Sequence, residues 1–329
     1  MITDVLYIVV PCFNEQEVLP ETNARLLALL NALVEARRVS PLSRVLYVDD
    51  GSTDGTWSVI NTISHGHEQV TAVKLAANVG HQNALVAGLE AALPHAHIMV
   101  TIDADLQDDC EVITQMVDRY EAGCDIVYGV RRERKTDSWF KHTTAQAFYR
   151  TMAHLGVKTV YNHADFRLMS SRAVAQLMRY GERNMFLRGI VPLVGYRSDC
   201  VYYDRTARTA GVSKYPLGKM ISFAVDGITS FSIKPVRMVF SLGLIFLFIA
   251  FCMLVYVLIA YFTHRAVSGW ASLILSLWFI GGCVLMSLGV VGEYIGKIYI
   301  EVKGRPRYNV EQTVNLTDPG KTELRTDRN

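Results

Sequence analysis

The chain has 329 residues, enough for one large domain or two ordinary ones, and half of them are hydrophobic. A net charge of +2 supplies no bulk attraction to nucleic acid, which is not expected as a partner. The six cysteines (Cys12, Cys110, Cys124, Cys200, Cys252 and Cys283) include no close pair at zinc-ligand spacing and read as free thiols in a reducing compartment.

The hydrophobic residues are unevenly placed. Residues 1–235 have a mixed composition, residues 238–292 are mostly apolar, and the end after Pro306 is polar. The first ten residues lack the basic start and long apolar core of a secretion signal, so the N-terminal region is expected in the cytoplasm. From there β-like runs alternate with segments of helical spacing. Strands are predicted at residues 5–10, 45–48, 70–75, 98–102 and 125–130; helices at 18–35, 56–63, 81–93 and 111–121. This alternation predicts an α/β domain with a mostly parallel sheet covered on both faces. Ligands of such sheets bind beyond the carboxyl ends of the strands. The predicted strands end in polar clusters there: Asn14-Glu15, Asp49-Asp50, Asn78, Asp103 to Asp105, and Arg131-Arg132. Neither a G-x-G-x-x-G fingerprint nor a Walker sequence occurs.

Asp103-Ala104-Asp105 follows an apolar strand directly. In extended chain, residues two apart point the same way, so two carboxylates would face the crevice together. Like charges that close favour a cation between them, and Mg2+ or Mn2+ bridging a diphosphate suits the pattern. Gln107 lies one step further and extends the candidate metal set of Asp103, Asp105 and Gln107. The triplet alone equally describes an acidic turn capping the next helix. His81 opens a helix and reads as a capping or packing residue before a phosphate ligand. Arg131 and Arg132 form one basic cluster, and Arg205, Arg208, Ser213 and Lys214 another; guanidinium groups there suit a diphosphate and an acceptor phosphate.

Further on, residues 215–235 mix apolar positions with Lys219 and Asp226 and predict amphipathic helices lying in a membrane interface. Residues 238–262 and 270–292 carry no charge, and each stretch of about 25 residues suffices to cross the hydrocarbon. The connector holds His264 and Arg265, whereas Lys234 and Arg237 precede the first span and Lys297, Lys303, Arg305 and Arg307 follow the second. The positive-inside rule therefore predicts a multi-pass inner-membrane protein with both termini and the catalytic domain in the cytoplasm. Gly281, Gly282, Gly289 and Gly292 would allow close helix packing, and a homo-oligomer, possible as a tetramer, is expected.

Several motifs in order resemble those of family-2 glycosyltransferases with the GT-A fold. They are the run from Ile8 to Glu15, the turn Val48-Asp49-Asp50-Gly51-Ser52-Thr53-Asp54-Gly55, the loop Asn78-Val79-Gly80-His81-Gln82-Asn83, and Asp103-Ala104-Asp105-Leu106-Gln107-Asp108. Ala164-Asp165-Phe166-Arg167-Leu168-Met169, Arg208 to Tyr215 and two C-terminal spans are similar to the polyprenyl-phosphate sugar transferases of that family, among them bacterial undecaprenyl phosphate glucosyltransferases and dolichyl-phosphate mannose synthases. The resemblance implies a GT-A domain over residues 1–214, interface helices over 215–235, a two-span hairpin over 236–294 and a cytoplasmic tail over 295–329 whose end is disordered. It implies nucleotide contacts from Pro11, Asn14, Glu15, Asp49, Asp50, Asp103 and Ala104, and catalytic roles for Asp105, Asp165 and Arg131; Lys74 reads as easily as a surface lysine as a nucleotide ligand. It also implies a nucleotide sugar, UDP-glucose or UDP-N-acetylglucosamine before GDP-mannose, and a polyprenyl phosphate acceptor. A phosphate monoester has a second pKa of about 6 and is already anionic at neutral pH, so Asp165 is expected to orient rather than to remove a proton. Processive synthases of the family carry Gln-x-x-Arg-Trp, which is absent here, and an inactive membrane scaffold would not need the intact acidic triplet.

Overall fold

The computed structural model describes residues 4–105, 107–132, 163–183, 187–204 and 269–316, with scattered helical positions between 236 and 255. These fall into two compact units, one holding residues up to 149, 158–214 and 305 onward, the other 150–157 and 215–304.

The first unit is built on an eight-stranded sheet. Its strands are β1 (Leu6–Cys12), β2 (Arg44–Asp49), β3 (Val70–Leu75), β4 (Ile98–Thr101), β5 (Ile126–Arg131), β6 (His163–Ser170), β7 (Ser198–Tyr203) and β8 (Val310–Val314), in the order β7-β5-β6-β4-β1-β2-β3-β8. β1 is buried at every position, as a strand covered on both faces must be, and so reads as one unbroken apolar run. Helices α1 (Leu19–Glu35), α2 (Thr56–Gly66), α3 (His81–Ala92) and α4 (Val112–Glu121) connect the first five strands. In α1, Leu19, Leu26, Leu27, Leu30 and Leu33 recur at helical spacing and are buried. α3 lies close on the sheet at Gly88, where a Cβ would stand 2.4 Å from Val9 Cγ1 and 2.7 Å from Val48 Cγ2. Two short helices follow β6, α5 (Ser171–Met178) and α6 (Leu187–Ile190).

The sheet is mixed rather than mostly parallel. β1–β2, β1–β4, β2–β3 and β5–β7 pair in parallel, but β6 runs antiparallel between β4 and β5, and β8 antiparallel beside β3. From β1 the chain steps outward through β2 and β3, then returns to β4 on the other side of β1. That reversal opens a crevice at the carboxyl ends of β1, β2 and β4. β6 enters the sheet from the crevice end: Arg167 pairs with Thr101, the last residue of β4, so Asp165 stands just beyond it.

Beyond the sheet, α7 (Trp270–Lys303) is a single helix of 34 residues, longer than the 270–292 span expected. Its stretch Phe279–Lys303 is, by length and composition, long and apolar enough to cross a membrane, and the most apolar window of it is not buried within the chain. Phe246 packs edge-to-face on Phe279, with ring centroids 5.3 Å apart. Among the described residues α7 is the one helix that meets the spanning criterion; most of the expected first span at 238–262, and the interface helices at 215–235, lie outside the described residues. The region after 295, expected to be a tail, contributes β8 to the sheet.

Candidate active site

The crevice is framed by turns that hold one another. Asn14 has a left-handed backbone (φ 56°), and its Oδ1 accepts from Thr53 N at 2.9 Å while Ser52 Oγ accepts from its N–H at 3.0 Å. The Glu15 N–H donates to Thr56 Oγ1 at 2.8 Å, and Gln16 Oε1 accepts from Gly55 N at 2.8 Å. Asn14, predicted as a nucleotide contact, is thus a strut between the β1 and β2 turns. Pro11 lies within β1 opposite Val48.

Asp49 ends β2 and Asp50 follows it, with different surroundings. Both oxygens of Asp50 are used: Oδ1 accepts from Val79 N at 2.8 Å and Oδ2 from Gly80 N at 3.0 Å. Asp50 therefore fixes the loop that leads into α3. Asp49 is fully buried; its Oδ1 accepts from Ser52 N at 3.2 Å, but its Oδ2 has no hydrogen-bond partner. Burial pushes the Asp49 carboxyl up, with Ser52 and Lys74 opposing. Gly51 makes the turn possible: it has φ +64°, and a Cβ there would sit 2.5 Å from Asn78 N.

The acidic triplet sits in a turn past β4, not in extended chain, so the alternation argument does not describe it. Side-chain capping replaces it: Asp105 Oδ1 accepts from Gln107 N at 3.2 Å, and Thr22 Oγ1 donates to the buried Ala104 carbonyl at 2.7 Å. Gln107 is buried beside them. Burial raises the Asp103 carboxyl above the usual range; the imidazole of His81 lowers it, and Asp165, Asp108 and Asp105 raise it further. Asp108 and Asp165 are each engaged by arginine, and among the described residues no group of three His, Cys, Asp or Glu side chains is arranged to hold a metal ion.

His81, first residue of α3, ties the two halves together, with Nε2 3.5 Å from Asp103 Oδ1 and 3.7 Å from Asp165 Oδ2. Asp165 is gripped from two sides. Arg167 Nη2 donates to its Oδ1 at 2.5 Å; Arg188 donates from Nη2 to Oδ2 at 3.1 Å and from Nε to Oδ1 at 3.3 Å. Burial alone would raise this carboxyl, but the two guanidinium groups and His81 outweigh it and hold it well below the usual carboxylate range. Arg167 is itself buried, and Gln82 Oε1 accepts from Leu187 N at 2.8 Å, which sets α6 and hence Arg188 against α3.

Arg131 is engaged with protein carboxylate. Its Nε and Nη2 donate to Asp108 Oδ1 and Oδ2, each at 3.0 Å, and Tyr203 Oη donates to Asp108 Oδ1 at 2.7 Å. Arg132 is exposed and lies 3.6 Å from Asp204. Lys74 pairs with Glu311 at 2.9 Å. Arg205, Arg208, Ser213 and Lys214 lie outside the described residues. Sequence reasoning did not foresee Arg188 on Asp165, or the pairing of Asp108 with Arg131 and Tyr203.

Residues 7–178 match the model of Glycosyl transferase family 2. The chain belongs to this family. It is 52% identical over 307 residues to the uncharacterized glycosyltransferase YkoT of Bacillus subtilis, covering 93% of this chain and 91% of that protein. It is 38% identical over 309 residues to the SfII prophage-derived bactoprenol glucosyl transferase of Shigella flexneri, covering 93% of this chain and 97% of that one.

Proposed function

We propose that this protein transfers one glucose from UDP-glucose to undecaprenyl phosphate at the cytoplasmic face of the membrane, with inversion at the anomeric carbon. The observation that carries the reading is the clamp on Asp165. A carboxylate held ionised by two arginines is a poor proton acceptor. A sugar hydroxyl acceptor needs a base; a phosphate monoester, with a second pKa of about 6, does not. The likeness to the bactoprenol glucosyl transferase, which extends through the apolar C-terminal region, supports the same acceptor and favours glucose. α7 with a second span at residues 238–262 would anchor the enzyme beside its lipid substrate, with the basic flanks in the cytoplasm.

In the reaction, an acceptor phosphate oxygen attacks the anomeric carbon, the bond from that carbon to the UDP β-phosphate oxygen breaks, and UDP leaves. An α-linked donor gives a β-linked lipid phosphate sugar. In this reading Asp49, at the carboxyl end of β2, is the candidate for a base or ribose contact, Asp50 holds the loop of His81, and Asp165 with Arg188 orients the acceptor. Asp103 and Asp105, with Gln107 beside them, would hold Mg2+ or Mn2+, which supplies charge neutralisation for the departing diphosphate. Arg205, Arg208, Ser213 and Lys214 remain candidates for phosphate contact.

The test is a donor panel (UDP-glucose, UDP-N-acetylglucosamine, UDP-galactose and GDP-mannose) incubated with the full-length protein, undecaprenyl phosphate and Mg2+ or Mn2+. Label from UDP-glucose should enter the lipid phase as a monophosphate-linked sugar. A polymeric or soluble product, or transfer from GDP-mannose alone, overturns the reading.

A further inference from the structure

β8 follows α7 by a short connection, and residues 307–315 are tied to the catalytic unit along their length. Arg307 Nη2 donates to the Tyr180 carbonyl at 2.7 Å, and Tyr308 Oη donates to Glu90. The Ala76 N–H donates to the Asn309 carbonyl at 2.9 Å, and Asn315 Nδ2 donates to the carbonyls of Ser64 and Val70 at 2.6 and 3.0 Å. The pairing with β3 is irregular at one place. Lys74 lies opposite Gln312, but Leu75 lies opposite Val310, so Glu311 is the extra residue of a bulge. A bulge re-aims the side chain it carries, and bulges concentrate beside functional sites. Here Glu311 is aimed at Lys74 Nζ, 2.9 Å away.

Lys74 is the residue opposite Asp49 in the β2–β3 ladder. It also lies 6.0 Å from the ring centroid of Trp57 on α2. A row of groups therefore runs from the bulge to the donor crevice: Glu311, Lys74, then Asp49 with its buried, unpartnered Oδ2. An ammonium on a flexible four-carbon stem takes its position from what holds it. Glu311 pairs with Lys74 across the β3–β8 ladder, while Lys74 also acts electrostatically on the buried Asp49, whose Oδ2 makes no hydrogen bond.

We propose that Glu311, on the strand that follows the membrane helix, is a positioning residue of the donor-nucleotide site, acting through Lys74 on the Asp49 end of the crevice. The ligand class is the nucleoside part of a nucleoside diphosphate sugar, so the inference rests on the donor half of the function above. It makes the segment after α7 part of the donor site.

The experiment uses the full-length protein in detergent, with Glu311→Gln, Lys74→Met and the double variant. UDP affinity is read by isothermal titration with divalent metal present, and transfer kinetics by lipid-phase label. The pair is partly exposed, with side chains 23% and 42% accessible, so its effect is modest. Glu311→Gln should weaken UDP binding and raise the donor KM by about five-fold, the upper end for such a pair. The acceptor KM, kcat and melting midpoint should not move, and Glu311→Asp should recover part of the loss. In the Lys74→Met background, Glu311→Gln should add nothing. Unchanged UDP affinity in Glu311→Gln overturns the proposal, as does a loss of equal size in both backgrounds or a change confined to kcat or the acceptor KM. A wild type that binds UDP with this dependence on Glu311 but transfers no sugar to undecaprenyl phosphate sinks the acceptor reading and upholds this one. A wild type that does not bind UDP overturns both.

Discussion

Replacing Asp165 by Asn tests whether that carboxylate is an anchor or a base. Asp165 is 7% exposed and Arg167 1%, and their contact is 2.5 Å. Removing one charge of a buried pair strands the other and costs about 3–5 kcal/mol. Asn keeps the shape and one acceptor, and Arg188 is about one-third exposed, so the low end of that range applies. For a domain of this size, a loss of about 3 kcal/mol lowers the melting midpoint by roughly 6–12 °C. The assay is thermal unfolding of the solubilised protein followed by near-UV circular dichroism, with kcat/KM measured from mildly acidic to mildly alkaline pH. The sign of the pH effect follows from the depressed folded-state pKa. The stability Asp165 contributes is fully present above its unfolded value of about 3.9 and is lost only as pH falls through the lower folded value. Across the assay range the gap between wild type and variant should therefore stay constant. Asp165→Leu combined with Arg167→Met should be milder than Asp165→Leu alone, because no buried charge is left over. The reasoning fails if Asp165→Asn melts at the wild-type temperature. It also fails if wild-type activity falls at mildly acidic pH along a limb that the variant lacks, which is the mark of a titrating base.

Three further outcomes are expected. Chelation with EDTA should abolish transfer, and added Mn2+ or Mg2+ should restore it; Asp105→Asn should lower kcat/KM by about 10²-fold at saturating metal, measured by lipid-phase label. Gly88→Ala places a methyl between Val9 and Val48 and should cost about 1–3 kcal/mol in chemical denaturation, without a selective change in donor KM. Gly51→Ala combines a positive φ with a clash against the Asn78 backbone, and should both destabilise by about 1–3 kcal/mol and raise the donor KM, because Asp49 and Asp50 flank it.

Much of this was legible because it is local. β1 to β5 announce themselves as short apolar runs followed by polar turns, and the motifs at 49–56, 78–83 and 103–108 fall where the crevice is. β6 was not read as a strand because it carries Asp165 and Arg167 into the interior, breaking the apolar pattern that marks a buried strand. β8 is a five-residue edge strand, mostly exposed, and Val-Glu-Gln-Thr-Val carries no burial signature. Arg188 was missed because its partner lies in a different element, and no spacing rule links a four-residue helix to a strand. Arg131 was seen as a cation and Asp108 as part of the acidic motif; that the two neutralise each other is a tertiary fact.

The distribution of charge at the site narrows what each group is left to do. A donor diphosphate and an acceptor phosphate are both anions, yet three cations of the crevice, Arg131, Arg167 and Arg188, each grip a carboxylate. Lys74 is likewise paired, with Glu311. Burial, and then Asp165, Asp108 and Asp105, raise the Asp103 carboxyl against the opposing pull of His81, and a diphosphate brought next to it would meet repulsion. Among the described residues, positive charge for a diphosphate would have to arrive with the donor, and a divalent ion held by Asp103 and Asp105, as proposed above, would supply it. On the proposed reading, with an already anionic phosphate as nucleophile and Asp165 held ionised, departure of the nucleotide is the step the site would assist. Activity should accordingly depend more steeply on groups that face the diphosphate than on any group that faces the acceptor oxygen.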